Sequence, residues 1–270
     1  MFKLISLNSN YNFIGKRKPA IILSAFLILV SISSFLIQGL NWGIDFSSGY
    51  VVQLKFDNKI SISEIRNTFE ANDISDAVIQ SFGSNKEVLI KLEFVGSQIG
   101  EELRDKGEWA MLVALLSILV YIGFRFEFIY GIGAIIALIH DVIITLGFFS
   151  IFQIEFNLSV LSAALAVIGY SLNDTIVVYD RIRENTRVVK TDRYDNLLNN
   201  SINQTLSRTF ITSLTTMFVL ISLYVLGGAA VELFALAMMI GILVGTYSSI
   251  FIASTSLLLL GANAEIREND

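Results

Sequence analysis

The sequence predicts an integral membrane protein: a bundle of six transmembrane helices with a small α+β domain inserted between the first helix and the second. Three observations lead to this fold class. Hydrophobic residues make up 54% of the chain but charged residues only 16%, whereas soluble domains contain about 25% charged residues. Six apolar stretches approach the length of about 20 residues that a helix needs to cross a bilayer. Between the first two stretches, residues 39–108 are polar.

The six apolar stretches are the predicted membrane spans. They cover residues 19–38, 109–124, 129–152, 158–179, 209–227 and 232–260. The first follows Lys16, Arg17 and Lys18 and lacks an A-x-A cleavage pattern. Its apolar run also exceeds the roughly 7–15 residues of a signal peptide. We therefore interpret it as a retained helix.

Basic residues predict the orientation of the bundle. The N-terminal segment 1–18 and the loop 180–208 are rich in Lys and Arg, whereas the short turns on the other side contain neither. The positive-inside rule assigns basic loops to the cytoplasm. Both segments and the C-terminal tail 261–270 are therefore predicted to be cytoplasmic, with residues 39–108 on the opposite side.

The inserted segment has the pattern of a small sheet with one helix. Residues 50–56, 77–82 and 88–94 are rich in β-branched and aromatic side chains and predict three strands. Ser61 and Glu64 have the spacing of a capping box that opens an amphipathic helix over residues 61–71. The order β-α-β-β predicts one helix packed on the sheet.

Asp174 carries the clearest functional signal within the spans. A carboxylate at the centre of a membrane helix costs roughly 2.5–3.5 kcal/mol even on lenient scales, so it is a functional candidate by default. Asn173 adjoins it, and Tyr170 and Ser171 lie one turn earlier. This polar face predicts contact with other helices or with water. The alternative is a carboxylate held permanently by one partner, which links helices without any further role.

Arg208 begins the fifth span on the same cytoplasmic side as Asp174 and at a comparable depth. It is therefore the natural partner of that carboxylate, and Thr212 continues a stripe of hydroxyls from it. On the residues alone, the favoured interpretation is an ordinary arginine at the cytoplasmic edge of a span.

Two further pairs stand out in the spans. His140 and Asp141 lie together in the third span, where ionisable residues are a functional signal. They either support the polar face of the fourth span or form a buried pair satisfied by neighbouring helices. Gly241 and Gly245 are four residues apart in the sixth span, a spacing that predicts close helix packing.

Composition excludes several kinds of chemistry. The chain has no cysteine and a single histidine, which rules out disulfides, thiolate metal sites and multi-histidine metal sites. No phosphate-binding loop, nucleophile triad or basic stripe for nucleic acid is present in the sequence. The predicted protein is therefore not an enzyme, needs neither metal nor cofactor, and does not bind nucleic acid.

Four stretches resemble the SecF family, whose members are subunits of the bacterial protein-export accessory complex SecD–SecF in the resistance–nodulation–division (RND) superfamily. They are NWGIDFSSGY at 41–50, ALIHDVIITLG at 137–147, IGYSLNDTIVVYDRIREN at 168–185, and SRTFITS at 207–213 together with GTYSSIFIA at 245–253. The chain departs from the family pattern at two positions. Ser48 replaces a glycine after the G-I-D-F motif, and Ser97 replaces a proline before the second helix.

The resemblance implies a ferredoxin-like periplasmic domain, with the chain in the bacterial inner membrane and both termini in the cytoplasm. It implies that Asp174, Arg208 and Asn173 belong to a proton path. Gly43 and Asp45 fall in a motif at the periplasmic junction, where we expect a structural role such as capping or hinge bracing.

The implied function is the use of the proton-motive force, together with SecD, to assist late translocation of polypeptides through SecYEG. The implied partners are SecD, SecYEG, the motor SecA, YajC and YidC, and unfolded exported polypeptides. One alternative is a subunit that stabilises SecD and SecYEG without conducting ions. The other is an RND-type exporter of small molecules, although such exporters generally have twelve helices and large porter domains.

Overall fold

The computed structural model describes residues 11–47, 49–56, 61–72, 77–82, 84–93, 98–126, 128–188 and 194–260. Ser48, Ser97 and the predicted tail 261–270 lie outside the described residues. The chain divides into two compact units. One consists of Met1–Leu40, Met111–Ile154 and Ser159–Asp270, and the other of Asn41–Ala110 and Glu155–Leu158.

The described residues contain six helices that are long and apolar enough to cross a membrane. In chain order the helices are α1 (Arg17–Gln38), α2 (Ile44–Ser47), α3 (Ile62–Glu70), α4 (Gln98–Arg125), α5 (Phe128–Ile151), α6 (Leu158–Val188), α7 (Tyr194–Leu226), α8 (Ala229–Ser248) and α9 (Ser254–Leu259). A π-helical turn, Ser249–Ala253, joins α8 to α9 within the sixth span. The strands are β1 (Asn41–Trp42), β2 (Gly49–Lys55), β3 (Ala77–Phe82), β4 (Ser84–Glu93) and β5 (Glu155–Phe156).

The second predicted span is the C-terminal part of a longer helix. α4 begins at Gln98, well before the predicted start at residue 109. Its first turns are polar, so hydropathy does not reveal them. An ion pair between Glu102 and Lys106, 2.7 Å long and spaced i,i+4, adds weak support to this exposed part of the helix.

The predicted loop 180–208 is largely helical. α6 continues past residue 179 to Val188, and α7 begins at Tyr194 rather than at residue 209. Neither extension contains Gly or Pro, which would interrupt a helix. In the extension of α7, Leu198 and Ile202 are fully buried. The apolar face expected for a short cytoplasmic helix therefore holds the first turns of α7 within the bundle.

Close packing of the first unit depends on glycine where α8 meets α6. A Cβ atom added to Gly245 would lie 3.0 Å from Cβ of Ser171, and one added to Gly241 would overlap the side chain of Val167. α1 packs on α5, and both α5 and α7 pack on α8. Fully buried apolar side chains from four helices form the core: Ile122, Leu138, Ile168, Ile182 and Leu198.

The second unit contains a three-stranded antiparallel sheet with strand order β2-β4-β3. The capping box of Ser61 and Glu64 opens α3, which lies between β2 and β3 in the chain. The order of these elements matches the β-α-β-β order expected from the sequence. A small apolar core joins helix and sheet: Ile65, Ile79, Val88 and Ile90.

Candidate functional site

Asp141 on α5 is a buried carboxylate with both oxygens hydrogen-bonded. Its side chain is 1% exposed. Oδ2 accepts hydrogen bonds from the hydroxyls of Ser171 on α6, at 2.5 Å, and Ser248 on α8, at 2.7 Å. Oδ1 is hydrogen-bonded to Nδ1 of His140 at 2.8 Å. A buried carboxylate is stable when its lone pairs are used in this way.

The same hydrogen-bond network continues from His140 to α1. Nε2 of His140 lies 3.1 Å from the hydroxyl of Ser24, which lies 3.1 Å from the hydroxyl of Tyr247. Tyr247 in turn donates to the backbone oxygen of Ala20 at 2.7 Å. Side chains of α1, α5, α6 and α8 thus meet around Asp141. This geometry favours the interpretation of His140 and Asp141 as a buried pair satisfied by neighbouring helices.

Asp174 on α6 is buried to the same degree but lacks comparable partners. Its side chain is 2% exposed, and Oδ2 has no hydrogen-bond partner among the described residues. The hydroxyl of Ser213 on α7 faces this carboxylate, and Arg208 acts on it electrostatically. Leaving a buried polar group unsatisfied costs about 1–3 kcal/mol, and more for a charged group. Asp174 therefore keeps an unused capacity to bind a proton or a cation, which Asp141 does not.

Arg208 does not form a close ion pair with Asp174. No nitrogen–oxygen distance of 4.0 Å or less joins the two side chains in the described part of the chain, and Arg208 is exposed. Its influence on the carboxylate is therefore a longer-range attraction. The strength of such an attraction depends on the distance between α6 and α7 and can change without breaking a direct ion pair.

The buried hydroxyl stripe of α7 is not the one predicted from the sequence, which contains Thr212. Thr212 donates to the backbone of its own helix at Arg208, at 3.0 Å. The buried stripe instead consists of Thr205, Thr209 and Ser213, which recur every four residues. Oγ1 of Thr209, like Asp174 Oδ2, has no hydrogen-bond partner among the described residues. Two parallel hydroxyl stripes exist in this sequence, and only the packing of α7 distinguishes them.

The remaining polar residues predicted on α6 have different surroundings. Asn173 is exposed and projects away from the buried side of Asp174. Tyr170 is half-buried and donates to the hydroxyl of Thr216 on α7 at 3.4 Å. Ser171 belongs to the Asp141 network. The structure thus separates the predicted polar face into two contacts, one with α5 and α8 and one with α7.

Gly43 and Asp45 belong to a second cluster, within the second unit, which we call the junction. β1 pairs in parallel with β5, so the segment that contains Gly43 is joined to the turn before α6. Oδ2 of Asp45 accepts the backbone N–H of Leu158, the first residue of α6, at 2.9 Å. The N–H of Gly43 donates to the backbone oxygen of Phe156 at 2.8 Å. Asp45 therefore satisfies one of the free N–H groups at the start of α6.

The junction is packed with aromatic rings. The ring centroids of Trp42, Phe46 and Phe156 lie 5.3–5.8 Å apart, within the range for favourable aromatic pairs. The guanidinium of Arg104 on α4 lies 5.7 Å from the centroid of Trp42, close enough for a cation–π contact. Rings and backbone bonds together hold the 41–46 segment against the start of α6.

Among the described residues, no group of three or more His, Asp or Glu side chains is arranged to hold a metal ion. The chemistry that the buried polar groups can support is transfer of a proton or binding of a single cation at a carboxylate.

The sequence matches two families of export proteins. Residues 74–263 match "Protein export membrane protein SecD/SecF, C-terminal", and residues 33–60 match "SecD/SecF GG Motif". The first match covers α5, α6, α7 and α8, with both buried carboxylates. The second covers the segment with Gly43 and Asp45.

Curated relatives are similar over nearly their whole length. The chain is 47% identical to a protein translocase subunit SecF from Magnetococcus marinus, with 93% of this chain and 92% of the relative covered. It is 41% identical to the SecF subunit of Vibrio alginolyticus, over 98% and 94% of the two chains. For the SecF subunit of Escherichia coli O157:H7 the identity is 38%, over 94% and 89%.

Two solved structures are similar in fold. A crystal structure of SecDF, a translocon-associated membrane protein from Thermus thermophilus, superposes with a TM-score of 0.86 at 34% identity. SecDF in a super-membrane-facing form superposes with a TM-score of 0.76 at 33% identity. The alignments cover 96% and 100% of this chain but 40% and 41% of the SecDF chains. This chain thus spans about two fifths of those structures.

Proposed function

Since this chain belongs to the SecD/SecF family of protein export membrane proteins, we propose that it uses the proton-motive force, together with SecD, to assist late polypeptide translocation through SecYEG. As a translocase subunit of the SecF type with six apolar helices, it is a multi-pass membrane protein that supports protein export. We propose further that the protein converts an ion gradient into movement, and that Asp174 and Arg208 carry this conversion.

The observation that carries the proposal is the contrast between the two buried carboxylates. Asp141 has three hydrogen-bond partners on three helices, so a change of its charge would disrupt the centre of the bundle. Asp174 is equally buried, with one oxygen unpaired and Arg208 beyond ion-pair distance. A group that cycles between charged and neutral forms must be tolerated in both, and Asp174 fits that requirement.

In the proposed mechanism, protonation of Asp174 removes its negative charge and with it the attraction to Arg208. α6 and α7 are then free to move relative to each other, and release of the proton to the cytoplasm restores the attraction. Each elementary charge that crosses the membrane supplies about 2.3 kcal/mol per 100 mV. This energy exceeds the roughly 1 kcal/mol of a single net hydrogen bond, so a few interhelical contacts can be exchanged in each cycle.

α6 offers a direct route from the ion site to the segment with the G-I-D-F motif. The helix runs without interruption from Leu158, whose N–H is bound by Asp45, to Asp174. Asp174 follows Leu158 by 16 positions, which correspond to about 24 Å along a helix at 1.5 Å per residue. We propose that a displacement of α6 is passed along the helix and pulls on the junction through the Asp45 hydrogen bond.

The same proposal extends to location and partners. The inserted unit is a small ferredoxin-like domain in the periplasm, and the chain lies in the inner membrane with both termini in the cytoplasm. The similarity to about two fifths of a SecDF chain supports SecD as the direct partner. SecYEG, SecA, YajC, YidC and unfolded exported polypeptides are the further proposed partners.

The test replaces Asp174 by Asn in the complex with SecD and measures export into inverted membrane vesicles. Asn keeps the shape but carries no charge, so we expect stimulation of export to fall to the level of vesicles without the complex. Asp180→Asn is the matched control, because Asp180 is an exposed carboxylate of the same helix, paired with Arg125 at 3.5 Å. Wild-type stimulation by the Asp174 variant would refute ion coupling at this residue.

Two further measurements separate the alternatives. Collapse of the H⁺ gradient and of the Na⁺ gradient in separate experiments identifies the coupling ion. Co-purification of the Asp174→Asn variant with SecD tests the non-conducting role: reduced assembly would assign Asp174 to helix association instead of ion coupling. Arg208→Lys retains the charge and should keep partial stimulation, whereas Arg208→Ala should lose it.

A further inference from the structure

An apolar groove opens in the first unit between α1, α5 and the segment formed by the π-helical turn and α9. It has a volume of about 480 Å³. Its walls are mainly aliphatic: Ile21, Ala25, Ile28, Ile136, Ile139 and Ile252. Several of these side chains are unpartnered at the surface of the unit, since Ile136 and Ile139 are 42% and 44% exposed.

The groove has a direction and a length. Ile21 and Ile28 mark its extent on α1, which corresponds to about 10 Å along the helix. Leu259 and Leu260 bound it at the end of α9. Both Ile21 and Leu260 lie toward the predicted cytoplasmic side, so the groove runs from that face toward the middle of the membrane.

A cationic side chain stands at the cytoplasmic mouth. Lys18 lies three residues before Ile21, on the stripe that continues to Ala25 and Ile28. It is exposed and forms no ion pair with the described residues. The neighbouring Arg17, by contrast, is paired with Asp195 at 3.3 Å.

Thr255, one turn before Leu259, contributes to the wall near this mouth. It is 3% exposed and its Oγ1 is buried, so its hydroxyl is not available to a bound ligand. The groove thus combines a long apolar channel with an exposed ammonium group above its mouth.

We propose that this groove binds an anionic phospholipid of the cytoplasmic leaflet. An acyl chain lies among the isoleucines, and the phosphate lies beside Lys18. Basic residues at a membrane surface attract anionic lipids, and apolar area buried by the chain adds to the binding.

The proposal does not depend on ion coupling and can be tested on the full chain by native mass spectrometry. The purified protein is titrated with phosphatidylglycerol and, separately, with phosphatidylcholine. Ala25→Trp fills the groove, and we expect at least a tenfold loss of affinity for both lipids. Leu23→Trp is the matched control, because Leu23 is 49% exposed on α1 outside the groove. Ile136→Trp fills the groove from α5 and should repeat the loss.

Headgroup recognition is tested by Lys18→Gln, with Lys16→Gln as the control. Because one lysine near a membrane surface contributes about 1 kcal/mol, the preference for phosphatidylglycerol should fall about fivefold in the first variant only. Equal lipid binding by the Ala25→Trp and Leu23→Trp variants would overturn the proposal. So would displacement of the lipid on assembly with SecD, since the groove would then be a surface for a partner helix.

Discussion

Removal of the Ser248 hydroxyl should destabilise the bundle, because this hydroxyl donates to Asp141 on α5 at 2.7 Å and also lies 3.1 Å from the backbone oxygen of Gly245 on its own helix. Ser248→Ala deletes one of the two hydroxyls that donate to Asp141 Oδ2 and leaves Ser171 in place. A hydrogen bond to a charged group contributes about 1.5–3 kcal/mol in general. Bonds between membrane helices average about 0.6 kcal/mol and reach about 1.7. Because this bond is short, buried and charge-assisted, we expect a loss of about 1–2 kcal/mol.

Thermal unfolding of the purified protein in detergent measures this loss. For a chain of this size each kcal/mol corresponds to about 2–4 °C in Tm. Ser249→Ala is the control, because Ser249 is equally buried but, among the described residues, its hydroxyl binds only the backbone oxygen of Thr246, at 3.0 Å. The double variant Ser171→Ala/Ser248→Ala should lose more than the sum of the single variants, since Oδ2 then has no donor. The same Tm for Ser248→Ala and Ser249→Ala would refute the role assigned to the Asp141 network.

Two other substitutions test the junction and the helix contacts. Asp45→Ala removes the acceptor for the Leu158 N–H, so it should lower stability by about 1 kcal/mol and reduce export. Asp45→Asn keeps an acceptor and should retain both stability and export. Identical Tm and export for the two variants would contradict the capping role. Gly241→Ala places a Cβ against the side chain of Val167, so it should weaken the packing of α8 on α6 and lower Tm. Gly169→Ala is the control: a Cβ there meets nothing within 4 Å, so Tm should stay unchanged or rise. A drop in Tm for both glycine variants would show that helix contact is not the cause.

The sequence predicts the spans well because the bilayer imposes their length and their apolar composition. It does not predict where the helices end, because hydropathy falls at the membrane surface whether or not the helix continues into water. In α7 the first turns precede the predicted span, and they are stabilised by the burial of Leu198 and Ile202. The apolar spacing of these turns is visible in the sequence. That they form one continuous helix with the fifth span is not, because it depends on the burial of Leu198 and Ile202 in the bundle.

The carboxylates were identifiable from their burial cost, but their different roles were not. Asp141 and Asp174 are both isolated acids in apolar segments, and the donors to Asp141 lie on α6 and α8, far away in the chain. The sequence offers hydroxyls on every helix and does not specify which ones face inward. Only the packing, set by Gly245 against Ser171, brings the Ser171 and Ser248 hydroxyls to a single carboxylate oxygen.

The Asp141 network also determines the direction in which Asp174 points. Ser171 and Asp174 are three residues apart on α6, so their side chains leave the helix about 60° apart in projection. The hydroxyl of Ser171 is held by Asp141, between α5 and α8. Rotation of α6 is thereby restricted, and Asp174 projects toward Ser213 and Arg208 on α7. Loss of the Ser171 hydroxyl therefore weakens the bundle and also frees the orientation of the carboxylate one turn away. On this basis we propose that Asp141 positions the ion site and that Asp174 is the group whose charge changes.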